Sequence, residues 1–160
     1  MEAGRHPPAW TRPWRRLFWP FLTRKDKDRI AAAIAEMESL TTGEIHVHVT
    51  GPAGKDILEA AREKFLELGL DGTAGRNGVL ILISDLDHRF AIWGDEGIHA
   101  KAGPPLWERA REALLLHFAE RRHAEGIEAC VREVGRELAL HFPRAGPEDV
   151  NELPDEVSGS

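Results

Sequence analysis

Three short polar segments carry the side chains best suited to chemistry: Thr41-Thr42-Gly43-Glu44, Arg76-Asn77-Gly78 and Gly94-Asp95-Glu96-Gly97. Glu44, Asp95 and Glu96 are carboxylates, hard oxygen donors that suit Ca2+ or Mg2+. Asn77 and loop carbonyls could complete such a shell, because glycines let the backbone turn its oxygens toward an ion. Arg76 is a fixed cation whose planar guanidinium could orient a phosphate or pair with a carboxylate. Thr42, Arg76, Asn77 and Gly94 form the accompanying set of candidate binding residues. The same residues would serve equally as polar turns and strand ends.

Other groups offer less. Asp85, Asp87 and His88 form a second acidic turn. His46 and His48 stand two apart, a spacing that puts both on one strand face and could bind a transition metal. No third ligand follows at fixed spacing, so a solvated or helix-covered face is the simpler expectation. His99, His117, His123 and His141 are scattered at helical positions. The sequence has no Gly-x-x-x-x-Gly-Lys-Ser/Thr loop, Gly-x-Gly-x-x-Gly, His-Glu-x-x-His or Gly-x-Ser-x-Gly. Ser39, Ser84, Ser158 and Ser160 lie in no recognisable nucleophile context. Cys130, the one cysteine, falls on an apolar helix stripe and excludes a disulfide framework.

The elements that must position the three polar segments follow from periodicity. Ile30, Ile34 and Met37 recur at helical spacing after a Thr23 N-cap with Asp26 and Asp28 near the start. Ile45, Val47 and Val49 alternate with Glu44, His46 and His48, which predicts a strand with one apolar face. Ile57, Ala61, Phe65 and Leu68 mark a second helix. A loop with four glycines spans residues 69–78. Val79-Leu80-Ile81-Leu82-Ile83 is continuously apolar, as in a strand covered on both faces. Residues 84–87 predict a turn and 89–93 an antiparallel partner strand, after which residues 94–97 break it. Pro104 and Pro105 suit a helix start, with Trp107, Ala110, Leu114 and Phe118 inward. A fourth helix begins near Glu125, with Ile127, Val131, Val134 and Leu138 inward.

The order α, β, α, β, β, α, α predicts an α/β fold, a small mixed sheet sandwiched between helices. The first two strands should be parallel through a right-handed crossover, and the third antiparallel. The starts of the first two strands and the end of the third then meet at one rim, which gathers the three polar segments.

The length of 160 residues permits one domain. No apolar run reaches the roughly 18–20 residues needed to span a bilayer. A net charge of −6 and a pI near 5.8 argue against nucleic-acid binding. The charge is uneven. Residues 1–22 carry +3 and three of five tryptophans, Trp10, Trp14 and Trp19, while the remainder carries −9. The chain therefore divides into a basic Trp-rich tail at 1–22, a domain at 23–143 and an acidic tail at 144–160. The basic tail lacks the features of a secretory signal, so a cytoplasmic location is expected. Arginine beside tryptophan suits a membrane interface. Packing on the domain, or on a protein partner, would explain the tail as well.

These motifs together resemble the TPM domain family, which includes thylakoid photosystem II repair proteins and bacterial YgcG-like proteins. The resemblance runs from about Phe21 to Val157. It rests on Thr42-Gly43-Glu44-Ile45, on Thr73 followed by Arg76-Asn77-Gly78-Val79-Leu80-Ile81, and on Gly94-Asp95-Glu96-Gly97-Ile98-His99. Trp107, Phe118, Gly126-Ile127, Phe142-Pro143 and Asn151-Glu152-Leu153-Pro154 extend it. It implies an α/β sandwich with a divalent-ion site, commonly calcium, near the loops at one sheet end. It also brings a phosphatase label, which rests on a plant member. The chain's short form is similar to stand-alone soluble bacterial members.

Three functions are expected on this basis. The first is a Ca2+- or Mg2+-binding interaction module for a protein partner, accessory to protein-complex maintenance, with Glu44, Asp95 and Glu96 as metal ligands. The second is a metal-assisted acid phosphatase in which Arg76 stabilises developing charge. The third is a membrane-peripheral accessory protein docked through residues 1–22.

Overall fold

The structure, a computed structural model, describes residues 2–5, 21–144 and 157–159. Its first helix, α1 (Arg24–Glu38), starts at a capping box. The Thr23 hydroxyl accepts the Asp26 N–H, and the Asp26 carboxylate accepts the Thr23 N–H. Both bonds satisfy donors that a helix start otherwise leaves open. Strand β2 (Glu44–Thr50) follows; Ile45, Val47 and Val49 share one core as predicted, while Glu44, His46 and His48 between them are buried as well. Asp56 caps α2 (Ile57–Glu67) by accepting the N–H groups of Leu58 and Glu59. A 3-10 turn at Leu70–Gly72 interrupts the glycine-rich loop. Strand β3 (Gly78–Ser84) is buried along its whole length, as its unbroken apolar run requires. It pairs with β4 (Arg89–Gly94) as an antiparallel hairpin. Helices α3 (Glu96–Ala102), α4 (Pro104–Ala119) and α5 (His123–His141) complete the layers.

Two further strands come from the ends of the described chain. Strand β1 (Glu2–Arg5) pairs antiparallel with β4, and β5 (Val157–Gly159) pairs parallel with β2. The sheet order is therefore β1-β4-β3-β2-β5. Both edges of the predicted three-stranded sheet are covered by terminal segments, so residues 1–22 and 144–160 are not tails throughout. Residues 6–20, including Trp10, Trp14 and Trp19, and residues 145–156 lie outside the described residues.

The sheet separates two unequal cores. Ile45, Val47, Val79 and Ile81 face α1, α4 and α5 with Ile30, Ile34, Trp107, Phe118, Val131 and Leu138. On the opposite face, Leu80, Leu82 and Ala91 meet Ile57, Ala61, Phe65 and Leu70. The structure is the expected mixed sheet between helices, with the larger core on the three-helix side.

Two expectations need correction. Residues 94–97 are not simply a turn: Asp95 caps α3, which begins at Glu96. His46 and His48 are neither solvated nor merely helix-covered; they are 6% and 3% exposed and both meet the Ser158 hydroxyl of β5.

Candidate functional site

Strand direction brings the three polar segments to one rim. Glu44 stands opposite Gly78, and Val79 opposite Gly94. The Asp95 N–H extends this register by donating to the Gly78 carbonyl at 3.0 Å. Glu44 on β2 and Asp95, just past the end of β4, thus flank Gly78. Both are buried, at 2% and 6% exposure. A side chain at Gly78 would run into the Leu70 carbonyl, so glycine lets the 3-10 turn close over this end of the sheet.

Asp95 is held from two sides. Arg76 Nε donates to Oδ2 at 2.7 Å, and another guanidinium nitrogen donates to Oδ1 at 3.0 Å. The Glu96 N–H donates to the same Oδ1 at 2.8 Å, which starts α3. The fork is the two-pronged Arg–carboxylate geometry that fixes orientation as well as charge. These bonds raise the Arg76 pKa above its ordinary value, the Asp95 hydrogen bond being the largest cause and the Asp95 charge the next. Glu96 approaches the same guanidinium at 3.5 Å with its side chain 75% exposed.

Arg76 occupies the left-handed backbone region, with φ +49°. Non-glycine residues stay there only when their surroundings hold them. Its carbonyl accepts the N–H groups of Gly97 and Ile98 at 2.8 and 3.3 Å. A Cβ on Gly97 would overlap the carbonyl oxygens of Gly75 and Arg76. The close approach of α3 to this loop therefore requires glycine at position 97.

Asn77 sits behind Arg76 and is 1% exposed. Its N–H donates to Thr73 Oγ1 at 3.0 Å, and its amide nitrogen donates to Thr42 Oγ1 at 3.2 Å. Its backbone carbonyl accepts the Glu44 N–H at 3.4 Å. The side-chain oxygen Oδ1 is buried without a hydrogen-bond partner among the described residues. Buried polar atoms are normally satisfied, so this oxygen marks a place where the rim has acceptor capacity to spare.

The structure thus joins Thr42 to Asn77 and joins Arg76 to Asp95 and Glu96, with Glu44 on the same rim. It does not gather the three acids. Among the described residues, no three His, Cys, Asp or Glu side chains cluster so as to hold a metal ion. Gly94 is accounted for by packing: a Cβ there would overlap the Trp107 ring.

The remaining candidates have structural partners. Trp107 donates to His99 Nδ1 at 2.9 Å. His123 packs beside Phe21 and Phe118, and burial lowers its pKa to about 4. His141 lies 3.1 Å from Glu137. Burial raises the Cys130 thiol pKa far from its reactive range.

Sequence reasoning missed Glu38 and Arg144, which support the rim, and the bonds that Thr41 makes there. Glu38, 1% exposed, accepts the Ile45 N–H at 2.6 Å. Thr41 donates to the Phe142 carbonyl at 2.6 Å and accepts the Gly43 N–H. Arg144 donates to the Glu38 and Thr41 carbonyls. The signal for Glu38 was its spacing: four residues after Ile34, it falls on the buried stripe of α1.

Residues 20–137 match the family model described as the TPM domain. The chain belongs to the TPM domain family. The BA42 protein from the psychrophilic bacterium Bizionia argentinensis, known from an NMR structure, is 33% identical with a TM-score of 0.82. That similarity covers 89% of this chain and 98% of BA42. The N-terminal domain of cg2496 from Corynebacterium glutamicum shares the fold at 15% identity and a TM-score of 0.61, covering 84% of each chain. Comparison with curated proteins finds no match. Among the described residues of this TPM domain protein, no helix is long and apolar enough to cross a membrane.

Proposed function

We propose that this TPM domain works as a cation-responsive interaction module whose binding rim is built by Glu44, Asn77 and Asp95. The observation that carries the reading is the buried Asn77 Oδ1, an oxygen donor with no hydrogen-bond partner among the described residues. It lies on the rim where two buried carboxylates flank Gly78. Amide, carboxylate and carbonyl oxygens are the donor chemistry of Ca2+ and Mg2+. Glu44, Asn77 and Asp95 would hold the ion, and loop carbonyls would supplement them. With only two buried acids, the donor set fits a weak, water-completed site.

Arg76 gives such a site its response. The guanidinium neutralises Asp95 in the absence of an ion, and a bound cation would compete with it for that carboxylate. Arg76 and Glu96 have side chains 45% and 75% exposed. Releasing Arg76 would therefore change the charge pattern of an accessible surface, which a protein partner can read. The phosphatase alternative asks the same guanidinium to leave Asp95 for a phosphate.

Thermal melting of the full chain against Ca2+ and Mg2+ tests the proposal. An ion that binds the folded state raises the melting temperature with concentration. Asn77→Ala and Glu44→Gln should abolish that rise, whereas Asp85→Asn at the opposite sheet end should leave it intact. Unchanged melting of the wild-type chain with both ions rejects the reading. Cation-dependent turnover of an aryl phosphate, lost in Glu44→Gln, would favour the phosphatase instead.

A further inference from the structure

The outer edge of β2 has a built-in reader of a second kind, remote from Arg76 and Asp95. Strand β5 lies along it in parallel, with Val157 opposite Val47, Ser158 opposite His48 and Gly159 opposite Val49. Alternate side chains point to opposite faces of a strand. Val157 packs against the larger core. The Ser158 hydroxyl instead lies 2.6 Å from His46 Nε2 and 2.6 Å from His48 Nδ1.

That junction is selective by donor counting. A hydroxyl has one proton to give and lone pairs to accept with, while a neutral imidazole has one N–H and one bare nitrogen. One ring can donate to Ser158 Oγ while the other accepts from it, so a single hydroxyl satisfies both facing nitrogens. An aliphatic side chain at that position would leave two buried ring nitrogens without this partner. Burial, the largest cause, holds the His48 pKa down at about 4, so that ring is neutral near pH 7. Gly159 is not read in the same way: an added Cβ would make only ordinary contact with the Val49 carbonyl, at 3.5 Å.

The present occupant is held by little. The strand has three residues, and short edge strands contribute few ladder bonds. Twelve residues, 145–156, separate it from Arg144, whose N–H is bonded to the Leu40 carbonyl near the start of β2. Twelve residues span at most about 40 Å, far beyond the few residues of β2 to be passed. Chain length alone therefore does not hold β5 to the edge.

We propose that the outer edge of β2 is a strand-docking site for an extended segment of a partner protein that presents an apolar residue followed by Ser or Thr, with Val157–Gly159 as its resident occupant in cis. Main-chain bonds to an exposed edge supply affinity in this mode of recognition, and alternate side chains supply specificity. The apolar residue would take the place of Val157, and the hydroxyl would bridge His46 and His48. The copy in cis competes with any incoming segment, so the site is self-limiting.

The test uses the full chain, its Ser158→Ala variant and a labelled peptide of residues 154–160. Binding is read by fluorescence anisotropy, and the ring resonances of His46 and His48 by NMR. Ser158→Ala weakens the resident strand, so the peptide should bind this variant about three- to tenfold more tightly than wild type, the span of one hydrogen bond. It should also restore the wild-type ring shifts. A peptide with alanine at the Ser158 position should bind correspondingly more weakly. A chain ending at Glu156 should bind the serine peptide most tightly of all. If that truncated chain does not fold, the two full-length proteins still decide. Equal affinity of serine and alanine peptides, or no binding to Ser158→Ala, overturns the proposal. A concentration-dependent dimer that disappears in Ser158→Ala would also overturn it, by assigning the edge to strand exchange with a second copy.

Discussion

The two ends of the sheet each carry an Asp–Arg pair, and the pairs are embedded differently. At the hairpin end, Asp87 accepts the Ala53 N–H at 2.7 Å and an Arg89 N–H at 2.9 Å. Arg89 also donates to the Gly54 and Lys55 carbonyls. This pair stitches the β3–β4 turn to the segment after β2, and the Arg89 side chain is only 11% exposed. At the rim, the acid is buried and the base is not: the Asp95 side chain is 7% exposed and that of Arg76 45%. The hairpin pair spends its capacity on backbone. The rim pair is anchored on one side, reaches solvent on the other, and sits beside an oxygen with capacity to spare. The difference separates a structural staple from the contact that, under the proposed function, would exchange partners.

The comparison can be broken first at the backbone. If the rim is held by the close approach of α3 rather than by its ion pair, Gly97→Ala should have the largest effect. Its new Cβ would meet two carbonyl oxygens, which cannot rotate away as a side chain can. A cost of about 3 kcal/mol is expected, the upper part of the range for overpacking. Urea unfolding measures it, and a cost below about 1 kcal/mol would mean that the loop yields.

The staple comes next. Asp87→Ala should cost about 2 kcal/mol, because it leaves the Ala53 N–H without its acceptor and strips a largely buried guanidinium of its carboxylate. The pair also has a pH signature. The Asp87 pKa is lowered from 3.8, chiefly by the Ala53 backbone hydrogen bond and then by Arg89. A lowered folded-state pKa contributes stability that is present above the unfolded value and lost as pH falls through the folded one. The wild-type chain should therefore lose this contribution below about pH 4, and Asp87→Ala should show a flatter acid limb. Denaturant midpoints between pH 2 and 6 decide it, and parallel curves for the two proteins would remove Asp87 from the account.

Much of this contrast was legible in the sequence, and the reasons show where the rest was hidden. The unbroken run Val79–Ile83 marked β3 as covered on both faces, whereas the alternation of Ile45, Val47 and Val49 with polar residues marked one apolar face of β2 and hid the burial of Glu44, His46 and His48 on the other. A hairpin after a parallel pair then placed Glu44, Arg76 and Asp95 at one rim before any coordinate. The start of α3 was hidden because Gly94-Asp95-Glu96-Gly97 has turn composition and its helix has seven residues. Strands β1 and β5 were hidden because edge pairing is made by backbone, which leaves no period in Glu2-Ala3-Gly4-Arg5. The two readings of Arg76, phosphate or carboxylate, stayed open because its partner is nineteen residues away. The spare Asn77 oxygen could not be read at all, since it depends on what every neighbouring donor has chosen instead.

The smallest expected effect probes the exchangeable pair itself. Arg76→Gly removes an ion pair whose cationic side is half-exposed, and such pairs contribute little to stability. It also removes a Cβ from a left-handed backbone position, which relieves strain at φ +49°. The two changes oppose each other, so the melting temperature should stay within about 2 °C of wild type. The cation response should not stay the same. Without its guanidinium, the Asp95 carboxylate is free to accept a metal, so the same Ca2+ concentration should raise the melting temperature more in Arg76→Gly than in wild type. Arg89→Gly at the hairpin end should do the reverse, lowering stability without altering the cation response. If Arg76→Gly proves as destabilising as Arg89→Gly, the rim pair is a second staple, and the contrast between the two ends of the sheet collapses.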